Sequence, residues 1–396
     1  MKKSLFALAA MGAFAGVAQA QSSVTVYGVY DGGYNMKNIE TKATSSSTAA
    51  VYSNSDMTGN QAASSRLGFR GAEDLGGGLT ATFNLELGFE PGTGTVYTVT
   101  SYGTSGAANQ SQSDGVRTSV VGLSSKTLGS INIGRQLSGM HGILAGNVFG
   151  GNNMIGDMTY ASFTNPNGQG TRINNLATRF NGISYTSPTI SGFTARIDYS
   201  QQRATGLQGS GTLGATFTTT GTTYQNEQAV QVANAGISAN YQYGPFRLQA
   251  GTHKVSSTTG NATAYTGVLT ETTINGVSGT YSAKGLVINA VYGQNKSTSA
   301  GITTAANNAS KIAVSYQITP QIMPFAQYGT GQSEASKALT SANTANTNMG
   351  YQAGAMYSLS KRTNLYAVYG VQKSENKNST ATAEGKEAGI GILHTF

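Results

Sequence analysis

The sequence predicts an all-β chain closed into a 16-stranded antiparallel transmembrane β-barrel. Three observations predict it. Apolar and polar residues alternate in segment after segment, the segments are long, and the connections between them are alternately short and long. In Leu79–Glu90 the odd positions are apolar and the even ones are Thr, Thr, Asn, Glu, Gly and Glu. A period of two is a strand with one apolar and one polar face. Twelve residues exceed the ~5–6 of an ordinary globular strand and suit the ~9–11 that a tilted strand needs to cross a bilayer.

The same pattern recurs along the chain. It places Phe193, Ala195, Ile197 and Tyr199 against Thr194, Arg196, Asp198 and Ser200. Sixteen segments qualify: 24–37, 61–74, 78–90, 116–124, 130–136, 179–187, 192–202, 229–243, 245–255, 271–282, 285–296, 309–318, 321–332, 348–359, 362–374 and 386–396. The even-numbered connections are tight, as at Leu75-Gly76-Gly77, Ala283-Lys284 and Ser360-Lys361. The odd-numbered ones are longer and rich in Ser, Thr, Asn and Gly. Short turns on one rim and long loops on the other, with an even strand number, mark outer-membrane barrels. Alternation defines two faces without saying which one looks outward.

Residues 1–20 read as a secretory signal peptide: the basic start Met1-Lys2-Lys3, an apolar run, then Ala18-Gln19-Ala20. Residues 21–396 then form one barrel domain. No later stretch is apolar enough for a transmembrane helix. There are no cysteines, which excludes a disulfide scaffold. The formal charge is +8, but the cations are scattered singly, so no nucleic-acid partner is expected. Only 38% of residues are hydrophobic, little for a solid core but sufficient for a wall around water. Tyrosines near strand ends suit an interfacial girdle, among them Tyr27, Tyr34, Tyr185, Tyr199, Tyr241, Tyr292, Tyr328 and Tyr369.

Catalytic chemistry is missing from the pattern. His141, His253 and His394 are widely separated, and no zinc-protease, nucleophile-elbow or Walker motif occurs. Ser374 to Lys377 matches S-x-x-K without its companion motifs, and Gly76 to Gly78 reads as a turn. The chain is expected to be no enzyme and to hold no cofactor or metal.

Several stretches resemble the general porins of Gram-negative bacteria, especially the β-proteobacterial branch. They are the start Gln21 to Asp31, the block Ser64 to Leu79, Arg117 to Leu123 followed by Leu128 to Gln136, the hairpin Ile183 to Phe193, and the end at Phe396. The resemblance implies a homotrimer in the outer membrane, in contact with lipid and lipopolysaccharide, that passes small ions and hydrophilic solutes by passive diffusion. A substrate-specific porin and a non-channel adhesin or structural barrel are the alternatives. It also implies that the long third loop, 137–178, folds into the lumen as a constriction. Phe149, Met154, Ile155, Met158, Tyr160 and Phe163 would give that loop something to pack with.

In this branch basic residues face the loop. Arg66 and Arg117 sit where two are expected, and either Arg172 or Arg179 could be the third. Strand parity independently places Arg66 and Arg70 inward, because Leu67 and Phe69 alternate with them. Arg117 shares the phase of Val121 and Leu123, so an inward Arg117 requires a bulge or a protein-facing strand. Asp157 is the loop's acid, with Glu86 and Glu90 on the neighbouring strand. Arg-rich constrictions favour anions, so a weak to moderate anion preference is expected. Phe396 would serve as the insertion signal.

Overall fold

A computed structural model describes residues 23–42, 50–96, 115–145, 179–206, 218–219, 222–223, 228–261, 267–335 and 344–396. The first strands are β1 (Ser23–Lys42), β2 (Ala50–Gly59), β3 (Arg66–Gly76), β4 (Leu79–Glu90), the two-residue β5 (Thr95–Val96), β6 (Val116–Ser125) and β7 (Gly129–Leu137). Helix α1 (Gly139–Leu144) follows, then β8 (Arg179–Thr186), β9 (Phe193–Gly206) and a short pair, β10 (Thr218–Thr219) and β11 (Thr222–Thr223). The remaining wall is β12 (Gln228–Tyr243), β13 (Phe246–Asn261), β14 (Gly267–Ala283), β15 (Leu286–Ser299), β16 (Ile302–Tyr316), β17 (Ile322–Ala335), β18 (Thr344–Ser358), β19 (Thr363–Asn376) and β20 (Thr382–Thr395).

Neighbouring strands pair antiparallel, and β20 pairs back onto β1 from Val29↔Thr395 to Lys42↔Thr382, closing the sheet. Strands β2 and β3 lie end to end along β1, opposite Gly32–Thr41 and Ser23–Val29 respectively, so they are halves of one barrel strand. With them counted once and the two-residue pieces set aside, the barrel has 16 strands. Closure removes the edges of the barrel sheet among the described residues, as a backbone facing lipid requires.

The structure decides which face looks outward. Val121, Ile133, Ile237, Ile312 and Ile390 all stand half-exposed on the outer surface. Asn289, Gln327, Asn348, Gln352 and Gln372 are buried on the inner one. Apolar outside and polar inside is the inversion a membrane barrel needs. Tyr34, Tyr185, Tyr199, Tyr241, Tyr292, Tyr328 and Tyr369 point outward as the girdle requires. Tyr27 does not: it lies on the inner face, hydrogen-bonded to Asn84 and Glu86.

The second segment differs from its sequence reading. Pairing starts at Ala50, and residues 61–65 are no strand. β2 is exposed on both faces for most of its length, so nothing imposes alternation on its sequence. Residues 60–65 bulge inward instead. The buried Asp31 carboxylate accepts the backbone N–H groups of Ala62 (2.6 Å) and Ala63 (2.8 Å) and the Tyr366 hydroxyl (2.6 Å). Val29, Ala62, Phe325, Tyr366, Val368 and Leu393 pack there as an apolar cluster. On the loop rim the β15–β16 connection, read as long, is a tight turn at Ala300 and Gly301, both with positive φ (48° and 78°). That is the backbone of a two-residue hairpin turn. The flanking Ser, Thr and Asn residues keep the ladder going beyond the alternating, lipid-facing stretch.

Candidate pore constriction

The inner face of β1, β3, β4 and β6 gathers charge around one carboxylate. Glu86 lies in the inward phase of β4, opposite the outward Phe83. Arg66 Nε is 3.4 Å from its Oε2, and Arg117 Nε donates to its Oε1 at 2.6 Å. Tyr27 Oη donates to Asn84 Oδ1 (2.8 Å) and to Glu86 Oε2 (3.3 Å). The Arg70 guanidinium stands 5.0 Å from the Tyr27 ring centre, a cation–π contact, and makes no ion pair among the described residues. Gly68 leaves room for that ring, because a Cβ there would collide with the Tyr27 phenol.

Arg117 reaches the lumen through the irregularity its phase demanded. The β4–β6 register shifts between Glu86↔Thr118 and Leu87↔Val116, leaving Arg117 as the bulged residue. A bulge re-aims a side chain without disturbing the rest of the strand. Val121 and Leu123 therefore keep facing outward while Arg117 faces Glu86. Arg179 Nε donates to the Arg117 carbonyl at 2.8 Å, so Arg179 belongs to this cluster. Arg172, Asp157 and the six apolar residues of the long loop lie outside the described residues.

The root of the long loop sits on the inner wall. Met140, Ile143 and Leu144 of α1 pack on Ile274, Val291 and Ala309. Ile274 shares the phase of the buried Ser278 and opposes the outward Val277, so this packing is lumenal. Gly276 permits the approach: a Cβ there would come within 2.8 Å of Leu144 and Met140. The wall also fastens the start of α1. Asp198 Oδ2 accepts the Gly139 N–H at 2.7 Å while its other oxygen binds Arg196 Nε at 2.7 Å. Arg196 Nη2 in turn donates to the Leu137 carbonyl (2.7 Å). The alternating segment 192–202 put Arg196 and Asp198 on a polar face, but nothing in it named them as a clamp. His141 in α1 lies near both Arg179 and Arg117. Desolvation first, and those two positive charges second, push its imidazole down to about 3, so it is neutral at physiological pH.

Phe396 closes the seam of the barrel. Its carbonyl accepts the Gly28 N–H (3.0 Å) and its N–H donates back to the Gly28 carbonyl (3.2 Å). The ring covers Gly28, where a Cβ would strike it.

Among the described residues no group of three or more His, Cys, Asp or Glu could hold a metal. What this arrangement offers is a cluster of arginines around one carboxylate on the inner wall. A sequence family described as Gram-negative porin matches residues 7–378. The chain belongs to that family. Relatives of this porin include an outer membrane porin of Bordetella pertussis, 35% identical over 206 residues (50% of this chain, 48% of the relative). Outer membrane porin protein 32 of Delftia acidovorans is 35% identical over 211 residues (50% and 49%). The alignments thus span about half the length of these relatives. Among solved structures, the anion-selective porin from Comamonas acidovorans superposes with a TM-score of 0.63 at 22% identity, over 95% of this chain and 100% of that one. The trimer form of OmpT from Vibrio cholerae gives 0.54 at 15% identity, over 95% and 99%. These two likenesses show the fold. The porin is an outer-membrane β-barrel.

Proposed function

We propose that this porin is a water-filled channel for passive diffusion of small hydrophilic solutes and ions, that it favours anions, and that it assembles as a homotrimer. The observation that carries the selectivity is the sharing of Glu86 by Arg66 and Arg117, with Arg70 beside them lacking an ion pair among the described residues. One carboxylate cannot neutralise three guanidinium groups, and Arg stays charged at any physiological pH. A narrow opening with low-dielectric walls focuses the remaining positive field and concentrates counter-ions. The fold shared with the anion-selective porin from Comamonas acidovorans supports the same sign. Arg179, on the Arg117 carbonyl, adds a further positive charge beside this cluster, and α1 at the root of the long loop packs on the same inner wall.

The reversal potential of a planar bilayer under a KCl gradient tests this. The native protein should show the anion sign. The effect should strengthen at low salt, because screening reaches ~30 Å at 0.01 M against ~10 Å at 0.1 M. A potential of cation sign at low salt overturns the reading. Three equal conductance steps per insertion test the trimer.

A further inference from the structure

Where α1 meets the inner wall, on the side of the short turns, there is a hollow of about 300 Å³. That is the lower end of the ~300–1,000 Å³ of ligand pockets, room for one small solute. Its floor is two cross-strand rows of β9, β12 and β13. Arg196 stands opposite Ser238 in one row, and Asn240 opposite Gln249 in the next. All four are in the inward phase, because Ile197, Ile237, Tyr241 and Leu248 face outward. Ser138, at the loop root, lines the other side.

The acceptors here are engaged, and donors are left over. Both Asp198 oxygens are taken, by the Gly139 N–H and by Arg196. Asn240 Oδ1 accepts Arg247 Nε at 2.6 Å, which leaves that amide its NH2 group. Gln249 Oε1 accepts the Ser278 hydroxyl at 3.4 Å and likewise keeps an NH2 group. Arg196 directs Nε to Asp198 and Nη2 to Leu137 and Gln136, so Nη1 remains. The Ser138 hydroxyl is buried without a hydrogen-bond partner among the described residues. Most buried polar atoms in a folded protein are partnered, so this one calls for an explanation.

Charge points the same way. Asp198 matches Arg196. Arg247, next along the inner face of β13 toward the turn, is exposed and makes no ion pair among the described residues. The hollow is thus rich in donors and positive on balance. A chloride ion meets such donors with a single centre. A carboxylate or phosphate offers several oxygens, which accept from donors on different strands and suit a guanidinium fork.

We propose that this hollow is a subsite for a small oxyanion, a carboxylate or a phosphate, separate from the arginines at Glu86. Asn240, Gln249 and Arg196 donate to its oxygens, and Arg247 balances its charge. The proposal rests on the reading of the chain as a water-filled channel. It adds a choice among anions, which a positive field at Glu86 alone does not make.

Block of the KCl current through a planar bilayer tests it. Potassium phosphate, potassium acetate and potassium bromide are added in turn at constant ionic strength, bromide being an anion without oxygens. Phosphate or acetate should lower the current saturably, with a half-blocking concentration at least about tenfold below that of bromide. The stronger of the two tells a phosphate site from a carboxylate site. Gln249→Leu changes no charge and Arg247→Gln removes one, and each should raise the oxyanion's half-blocking concentration at least about tenfold. Both should keep the native sign of the reversal potential in KCl alone. Equal block by all three anions in the native protein overturns the proposal, whatever the variants do. So does oxyanion block that survives undiminished in both variants. A cation-sign potential in KCl overturns the selectivity reading instead and leaves this comparison intact, because block is read on the total current.

Discussion

Two carboxylates on the inner wall have opposite surroundings. Asp31 is fully buried and held by neutral donors only, two backbone N–H groups and the Tyr366 hydroxyl. Glu86 is more accessible and is held by two guanidinium groups and a tyrosine. The first stitches the 60–65 bulge to the seam of the barrel. The second divides its charge between Arg66 and Arg117. One acid thus serves the architecture and the other the proposed field, and the two roles should come apart under mutation.

The largest effect is expected at Asp31. Asp31→Ala leaves three donors without their acceptor in a dry cluster, at ~1–3 kcal/mol for each buried unsatisfied group. The folded, heat-modifiable band should disappear at markedly lower temperature, while channels that do fold keep the native reversal potential. A change of selectivity in this variant would merge the two roles. Next comes the loop root. Gly276→Leu pushes into Met140, Ile143 and Leu144, an overpacking worth about 1–3 kcal/mol. Helix α1 should undock, seen as protease cleavage within Gly139–Leu144 and noisier open-channel current. Barrel melting should move little.

A smaller effect concerns His141. Its folded-state pKa is lowered from 6.5 to about 3, so between those values the unfolded chain binds a proton that the folded chain refuses. Stability therefore falls as pH drops through that window and is unaffected above it. His141→Gln should lose less stability than the native protein between pH 7 and pH 4, measured as the shift in unfolding temperature. Equal acid sensitivity of the two proteins would place the imidazole in water.

Much of this was legible in the sequence where a bilayer imposes a pattern. The sixteen strands were, because lipid on one side and water on the other force a period of two. Arg117 was legible as a conflict, since its phase matched Val121 and only a bulge could turn it inward. Tyr27 was misread because tyrosine serves a girdle and a pore wall equally well, and only the register against Asn84 and Glu86 separates the two uses. β2 left no trace, being exposed on both faces. The Asp31–Tyr366 bond spans 335 residues and exists only because the barrel closes. The clamp of Asp198 on Gly139 likewise depends on two strands meeting through β8 rather than on any local motif.

The central claim is that the arginines around Glu86 outnumber it and set the sign of selectivity. It is tested most directly by moving the balance both ways in one experiment. Reversal potentials in a KCl gradient should be compared for the native porin, for Glu86→Gln, and for Arg66→Ser combined with Arg117→Ser. Removing the acid should shift the potential further toward anions, and removing the two arginines should shift it toward cations. Shifts in the same direction, or a double variant indistinguishable from native, would contradict the account.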